Sequence, residues 1–253
     1  MHKQFQKIFF LFIIFTYQIL PQSFGFGCFG FVGGYAGYSY QKYEPGSLNE
    51  QIKGFNNAMS EGADQIIPEF GTAQGYRLGI NFLRANFSDT FFSVKGYYEA
   101  LSENHSYSYS GTESLINSEL NFSLKSWNIG VDFGIPITDL FSWKIIEGVV
   151  HFNSVKLIHK PNLDDNTKEI KYENDASDIG YSISTGFIFS IVENFLSIEG
   201  TAGYKFFKIN QMTTEDGSVF LLRPEDSRAL EEADFIKAGG FSAVVQLNLG
   251  FPL

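Results

Sequence analysis

Apolar and polar residues alternate with a period of two through most of this chain. In one segment, Ile179, Tyr181 and Ile183 alternate with a glycine and a serine. This period predicts β-strands that have one apolar face and one polar face. Eight segments show the pattern, at residues 31–43, 72–84, 90–101, 118–135, 141–158, 179–191, 196–209 and 235–251.

The alternation changes phase in two of these segments. In the fourth, the apolar positions are even-numbered up to Leu124 and odd-numbered from Trp127 onward. A change of parity at Lys125 and Ser126 predicts a β-bulge, which adds one residue to a strand. The fifth segment has a blurred phase near Gly148, so the orientation of its middle residues is not predicted.

Short and long connections alternate between the eight segments. Brief turns follow the second, fourth and sixth segments, whereas long polar stretches follow the others, near 44–71, 102–117, 159–178 and 210–234. In an up-and-down antiparallel barrel, this alternation places every short turn at one end and every long loop at the other. Within the first long loop, Leu48, Ile52, Phe55 and Met59 recur at helical spacing. They predict a short helix over the barrel mouth, with a partner-binding helix as the alternative.

The first residues have the pattern of an export signal. Lys3 and Lys7 precede an apolar run from 8 to 20, and small residues follow it. We therefore expect a signal peptide at 1–27 and a mature chain at 28–253. An uncleaved anchor and a lipid-modified Cys28 are the alternatives. Since no later stretch is long and apolar enough for a membrane helix, a membrane position would require a closed barrel.

Composition narrows the classes of partner. The 253 residues include 28 Phe and 13 Tyr, and the formal net charge is −10. Because phosphate binding requires clustered Lys and Arg, no nucleic-acid partner is predicted. A soluble lipocalin-type barrel remains the structural alternative. The small, polar character of one strand face favours a narrow lumen, and the dense aromatic character of the other favours contact with lipid.

The ending VVQLNLGFPL is the last strand of the predicted barrel. Its outward stripe, predicted to contact lipid while the strand closes the barrel, comprises Val245, Leu247, Leu249, Phe251 and Leu253. This stripe, the signal segment and the alternating connections resemble the small outer-membrane β-barrel proteins of the OmpA transmembrane-domain and OmpX kind. These usually end on an aromatic residue, whereas this chain ends on leucine.

The resemblance implies an all-β fold, an eight-stranded antiparallel up-and-down transmembrane β-barrel in the outer membrane of a diderm bacterium. It also implies contact with outer-membrane lipid and lipopolysaccharide. The barrel-assembly machinery would read the terminal stripe.

Several charged residues share the parity of the predicted lumen. They are Arg77, Lys95, Glu99, Asp132, Lys144, Glu199 and Lys205. Eight strands leave room only for side chains inside a barrel. These charges therefore predict a plug of paired side chains, and an ion path or proton relay is the alternative.

No catalytic, cofactor-binding or metal-binding residue is assigned from the sequence. Ser154 lies three residues from His151, so the two side chains would point to opposite faces of a strand and could not act together. We expect His105, His151 and His159 to be solvated or interfacial. The loop at 212–234 has two basic and seven acidic residues, a net charge of 2 − 7 = −5. It lacks the ligand spacing of an EF-hand, so solvated loops are expected.

These features predict a non-enzymatic protein with a structural or surface-interaction role. Its extracellular loops would meet an extracellular protein or a host ligand. A narrow porin-like channel for small solutes is the alternative, and a lipid-modifying outer-membrane enzyme is the third.

Overall fold

The computed structural model describes residues 33–59, 66–87, 89–110, 115–161, 168–174, 178–192, 195–222 and 234–250. The predicted signal peptide, Cys28 and two stripe residues, Phe251 and Leu253, lie outside these described residues. Parts of each predicted long loop lie outside them too.

Eight long strands form a closed antiparallel barrel. The elements are β1 (Gly33–Lys42), β2 (Glu44–Pro45), α1 (Ser47–Met59), β3 (Thr72–Phe87), β4 (Thr90–Ser110), β5 (Leu115–Pro136), β6 (Phe141–Lys160), β7 (Ile170–Glu173), β8 (Asp178–Val192), β9 (Leu196–Phe206), β10 (Ile236–Ala238) and β11 (Phe241–Gly250). The barrel order is β1-β3-β4-β5-β6-β8-β9-β11, and β11 pairs with β1 to close the ring. The predicted eight-stranded up-and-down barrel is confirmed.

The register makes this a narrow barrel. Following paired residues around the ring from Ile188 on β8 leads back to the same strand at Asp178, a shear of 188 − 178 = 10. Eight strands enclose an interior that side chains can fill. The β3–β4, β5–β6 and β8–β9 connections lie at one end, which we call the short-turn end. The other is the long-loop end.

The strands differ greatly in length. β4, β5 and β6 have 21, 22 and 20 residues, whereas β1 and β11 have 10 each. The three long strands therefore rise past Tyr98, Trp127 and Phe152 at the long-loop end. We call this raised wall, together with β7, the extension.

The loops predicted from the sequence are therefore longer than those in the structure. The sequence predicts a loop at 102–117, but β4 continues to Ser110 and β5 begins at Leu115. β7 lies within the predicted loop at 159–178 and pairs with β6. The described part of 210–234 contains antiparallel bridges from Thr213 to Glu173 and Val219. On β4, the polar residues Ser102, Asn104 and Ser106 lie on the outer face of the extension, whose inner face packs against apolar side chains.

No β-bulge occurs at Lys125 and Ser126, so that prediction is wrong. Even-numbered side chains of β5 point inward on both sides of this position. Above it, Phe122 and Leu124 are buried inside while Lys125 is exposed outside. Below it, the interior is polar, and Trp127 is the first of the exposed apolar side chains. The change of parity marks an inversion of polarity between the two faces of a continuous strand. A register shift between Lys144 and Glu147 accounts for the blurred phase in β6.

An apolar band surrounds the lower barrel. Its exposed members include Tyr38, Tyr76, Leu78, Phe82, Trp127, Ile129, Val131, Phe133, Val150, Phe152, Ile179, Tyr181, Ile183, Phe187, Phe189, Ile198, Tyr204, Val245, Leu247 and Leu249. On β5 the band runs over residues 127–135. Nine residues in a tilted strand span about 23 Å, close to the band height of membrane barrels.

An apolar cap fills the mouth at the long-loop end. It is the buried cluster Tyr43, Leu48, Ile52, Phe55, Ile67, Phe70, Ala73, Leu101, Tyr107, Leu120, Phe122, Leu124, Val155, Leu157, Tyr172, Phe207, Ile209, Met212, Phe220, Phe235 and Ile236. Most of its members come from α1, the extension and the 66–71 and 207–222 segments, and the others are Tyr43, Ala73, Phe235 and Ile236. The predicted helix is therefore confirmed, although the Met59 side chain is not described. No helix in the described residues is long and apolar enough to cross a bilayer.

Side-chain hydrogen bonds fasten α1 to the cap. Asn49 Nδ2 donates to the Phe70 carbonyl at 2.9 Å, and the Phe70 amide donates back to Asn49 Oδ1 at 2.9 Å. Gln51 makes a similar pair, donating to the Phe220 carbonyl and accepting from the Leu222 amide, each at 2.9 Å. Because these bonds satisfy backbone groups that no strand pairs, the irregular segments can be buried.

Candidate functional site: the lumen charge network

The structure places all seven sequence-predicted lumen charges inside the barrel, each buried. Four of them converge on one centre. Lys144 Nζ lies 3.1 Å from Asp132 and 3.0 Å from Glu147, and it also pairs with Glu199. Lys95 Nζ lies 3.1 Å from Asp132 and 2.8 Å from Glu147. Asp132 and Glu147 therefore each bridge two lysines.

Sequence reasoning missed Glu147, which is as buried as its partners. Its parity is hidden by the register shift on β6 between Lys144 and Glu147. Lys144 and Glu147 are three residues apart, and regular alternation would place them on opposite faces. Only the irregularity brings both into the lumen. The available signal was two charged residues at an odd sequence separation of three, 147 − 144 = 3, next to the segment where the alternation blurs.

The other lumen charges form two further contacts. Lys205 on β9 pairs with Glu99 on β4, on the opposite side of the barrel, so this ion pair crosses the lumen. Arg77 Nη2 donates to Gln246 Oε1. Its guanidinium carbon also lies 5.0 Å from the centre of the Tyr97 ring, within the range of a cation–π interaction.

The network is electrically balanced. Arg77, Lys95, Lys144 and Lys205 supply four positive charges, and Glu99, Asp132, Glu147 and Glu199 supply four negative charges, so the sum is 4 − 4 = 0. An unpaired charge in such an interior would be strongly destabilising. The arrangement can hold side chains across a narrow lumen without a net charge.

His151 is buried in the lumen, so its expected solvated or interfacial position is wrong. Asn128 Nδ2 donates to the Tyr97 and Ser126 carbonyls, which leaves Asn128 Oδ1 to accept from His151 Nδ1 at 2.5 Å. His151 Nε2 is then free to accept from Ser182 Oγ at 2.8 Å.

The serine that contacts His151 is therefore Ser182, whereas Ser154 is exposed on the outer face as predicted. Ser182 and Asn128 lie 31 and 23 residues from His151 in sequence. Only the pairing of strands brings them together, so no local motif could reveal them.

His105 and His159 lie on strands of the extension, not in loops. His159 Nε2 is 2.9 Å from the Tyr107 hydroxyl, and burial lowers the pKa of His159 to about 4. His105 lies 3.0 Å from the Glu103 carboxylate and packs edge-on against Phe70. Both therefore belong to the rim of the cap, where they are only partly exposed.

The predicted terminal stripe faces outward where it is described. Val245, Leu247 and Leu249 are exposed on β11, and Leu249 pairs with Gly34 of β1. Within the described residues, no group of three or more His, Cys, Asp or Glu side chains is arranged to hold a metal ion.

Comparisons with known proteins were made for sequence families, for curated proteins and for solved structures. No protein-family model matches the chain, and no curated protein matches it. Among solved structures, the attachment invasion locus protein Ail of Yersinia pestis has 10% identity and a TM-score of 0.40, over 88% of this chain and 99% of that one. Neisserial surface protein A has 13% identity and a TM-score of 0.39, over 86% and 97%.

The outer membrane protease OmpT from Escherichia coli has 11% identity and a TM-score of 0.41, over 90% of this chain and 100% of that one. At these identities the likeness concerns the fold alone. The predicted architectural resemblance to small outer-membrane barrels is confirmed, since the chain forms a closed eight-stranded barrel.

Proposed function

We propose that the chain resides in the outer membrane of a diderm bacterium, where the apolar band contacts acyl chains and lipopolysaccharide. The band is about 23 Å tall, close to the apolar band of membrane barrels, and the outer face becomes polar at Lys125, where a membrane would end. The apolar surface is exposed on all sides of a closed ring, which suits lipid better than water. The barrel-assembly machinery would insert it, using the outward stripe on β11.

Its role, in this proposal, is that of a non-enzymatic surface protein. The carrying observation is that a neutral charge network fills the lumen beneath an apolar cap. The cap and the extension then form the surface presented to the outside, since their outer side chains are polar. An extracellular protein or a host ligand would bind there.

A narrow channel for small solutes is the second candidate. Within the described residues, several buried lumen atoms have no hydrogen-bond partner, among them Tyr35 Oη, Arg77 Nε and Asn153 Nδ2. Buried polar atoms of this kind usually bind water, which favours a partly wet lumen. A solute would still have to pass the apolar cap, and dry apolar constrictions oppose ion passage.

Planar-bilayer conductance of the refolded protein tests the proposal. We expect no steady conductance from the wild type, and none from Lys95→Ala or Glu199→Ala, since the cap lies above both. Exposed Lys53→Ala on α1 is the matched control. Steady single-step conductance that changes in Lys95→Ala or Glu199→Ala would overturn the surface-protein proposal and favour the channel.

A lipid-modifying enzyme is the third candidate, and one contact favours it. The hydrogen bonds from Ser182 to His151 and from His151 to Asn128 have the direction required to activate a serine. Against this, the three residues lie inside the barrel below the cap, whereas lipids meet its outer face. Labelling by a fluorophosphonate probe, which reacts with activated serines, distinguishes an enzyme from a non-enzymatic surface protein. We expect no label on Ser182, and label that Ser182→Ala removes but Ser184→Ala retains would favour the enzyme.

A further inference from the structure

A pair of lysines lies on the outer face of the extension directly above the apolar band. Lys125 is exposed on β5, two residues above Trp127 on the same face. The Trp127 and Tyr98 rings pack at 5.1 Å between centroids. Tryptophan and tyrosine concentrate at the level of lipid headgroups. Lys125 therefore lies where the phosphate groups of a lipid leaflet would be.

Strand register supplies the neighbours of Lys125. Ser154 on β6 lies directly opposite it, and in the next row Ser123 lies opposite Lys156. Lys125 and Lys156 are therefore diagonal neighbours on one face, and residues in this relation generally lie about 7–8 Å apart. Two ammonium groups at this spacing can both reach one phosphate, and serine hydroxyls beside them can donate to its remaining oxygens.

The two lysines differ in their present partners. Among the described residues, Lys125 forms no ion pair. Lys156 Nζ lies 2.7 Å from Glu173, whose side chain is 61% exposed. An exposed pair of this kind contributes little to stability, so Lys156 can exchange this carboxylate for a phosphate without great loss.

We propose that Lys125, Lys156, Ser123 and Ser154 form a site, the phosphate patch, that binds a phosphate group of lipid A in the leaflet at the long-loop end. The proposal rests on the proposed outer-membrane function. It commits to a lipid because the patch borders the apolar band, so acyl chains of the same molecule would lie against Trp127 and Ile129. Positive charge and hydroxyl donors match the phosphate.

The test measures lipid A binding by the change in Trp127 fluorescence. The chain has two tryptophans, so Trp143→Phe leaves Trp127 alone beside the patch. The protein is refolded in phosphatidylcholine nanodiscs and titrated with lipid A that carries both phosphates, or with lipid A from which they were removed. We expect a saturable fluorescence change with the phosphorylated lipid, at least tenfold weaker with the other.

Variants in the same background assign the contact. We expect Lys125→Ala to weaken binding about fivefold and the Lys125→Ala, Lys156→Ala double variant about 25-fold, with less effect as salt increases. Lys125→Arg should retain binding. Lys53→Ala is the matched control, because Lys53 is an exposed lysine on α1 and not on the strands that carry the patch.

The outcomes that would contradict the phosphate patch differ from those that would contradict the outer-membrane function. Unchanged binding in the double variant, or equal binding of the dephosphorylated lipid, would overturn the proposal. Heat-modifiable gel mobility confirms that each variant is folded. Failure of the wild type itself to fold in lipid would contradict the outer-membrane function instead, so the two failures are distinguishable.

Discussion

Lys144 is the residue on which the lumen network depends most. It is fully buried and contacts three carboxylates, those of Asp132, Glu147 and Glu199. We expect Lys144→Met to destabilise the folded protein by about 3–5 kcal/mol, because it leaves buried carboxylates without a cation. Urea unfolding in lipid vesicles measures this.

Two further variants test whether the loss of stability in Lys144→Met comes from the lost ion pairs. Adding Glu199→Gln should recover part of the loss, because it removes one of the stranded negative charges. Lys171→Met, at an exposed lysine, should change stability little. A Lys144→Met protein as stable as the wild type would show that the network is not held by ion pairing.

His159 gives the extension a dependence on pH. Burial lowers its pKa from 6.5 to about 4. Between these values the unfolded chain binds a proton that the folded chain does not, so stability falls as pH falls through that window. We expect His159→Gln to remove this component, so that wild type and variant converge in stability between pH 7.5 and 4.5. Unfolding midpoints at several pH values measure it, and parallel curves would contradict it.

The alternation of side chains along each strand predicted which of several charged residues face the lumen. Strict alternation is enough to place Lys95 or Glu199 in the lumen, because strand neighbours point to opposite faces. It is not enough for Glu147, whose orientation depends on a register shift, or for His151, whose partners lie on the adjacent strands β5 and β8 but far away in the sequence. Contacts across a barrel depend on which strands pair and in what register, and one sequence does not contain that information locally.

At the element scale, the inverted polarity of β5 has the largest consequence. The same strand has Phe122 inside and Lys125 outside in its upper part, then Asn128 inside and Trp127 outside in its lower part. Sequence alone shows that the apolar parity changes, but a bulge and a change of environment give the same pattern. The register of β5 with β4 and β6 does not shift at Lys125 and Ser126, which distinguishes the two explanations.

β11 provides a test of the lipid-facing parity. Leu249 is 48% exposed and points outward from the barrel. We expect Leu249→Asp to reduce the folded, heat-modifiable form severalfold, because a charge on the lipid face is destabilising, although less so near an interface than at the midplane. Leu249→Val should assemble normally. Normal surface levels of Leu249→Asp would show that this face does not meet lipid.

At the scale of the whole molecule, two interiors of opposite character are stacked along one set of strands. The lower one is polar inside and apolar outside, as a bilayer requires. The upper one is apolar inside and polar outside, as water requires. β4, β5 and β6 pass through both. The cap includes side chains of α1 and the 207–222 segment, whereas the lumen ion pairs in the described residues involve neither. We therefore expect the two parts to lose structure separately.

Ile52 allows this separation to be tested. It is fully buried in the cap on α1, so Ile52→Asp should undock the helix by placing a charge among apolar side chains. We expect faster hydrogen exchange or proteolysis of the 47–71 and 207–222 segments, while heat-modifiable mobility of the barrel is kept. Exposed Ala58→Asp on the same helix is the control. Loss of barrel mobility together with the cap would contradict independent interiors and show that the cap is part of one cooperative fold.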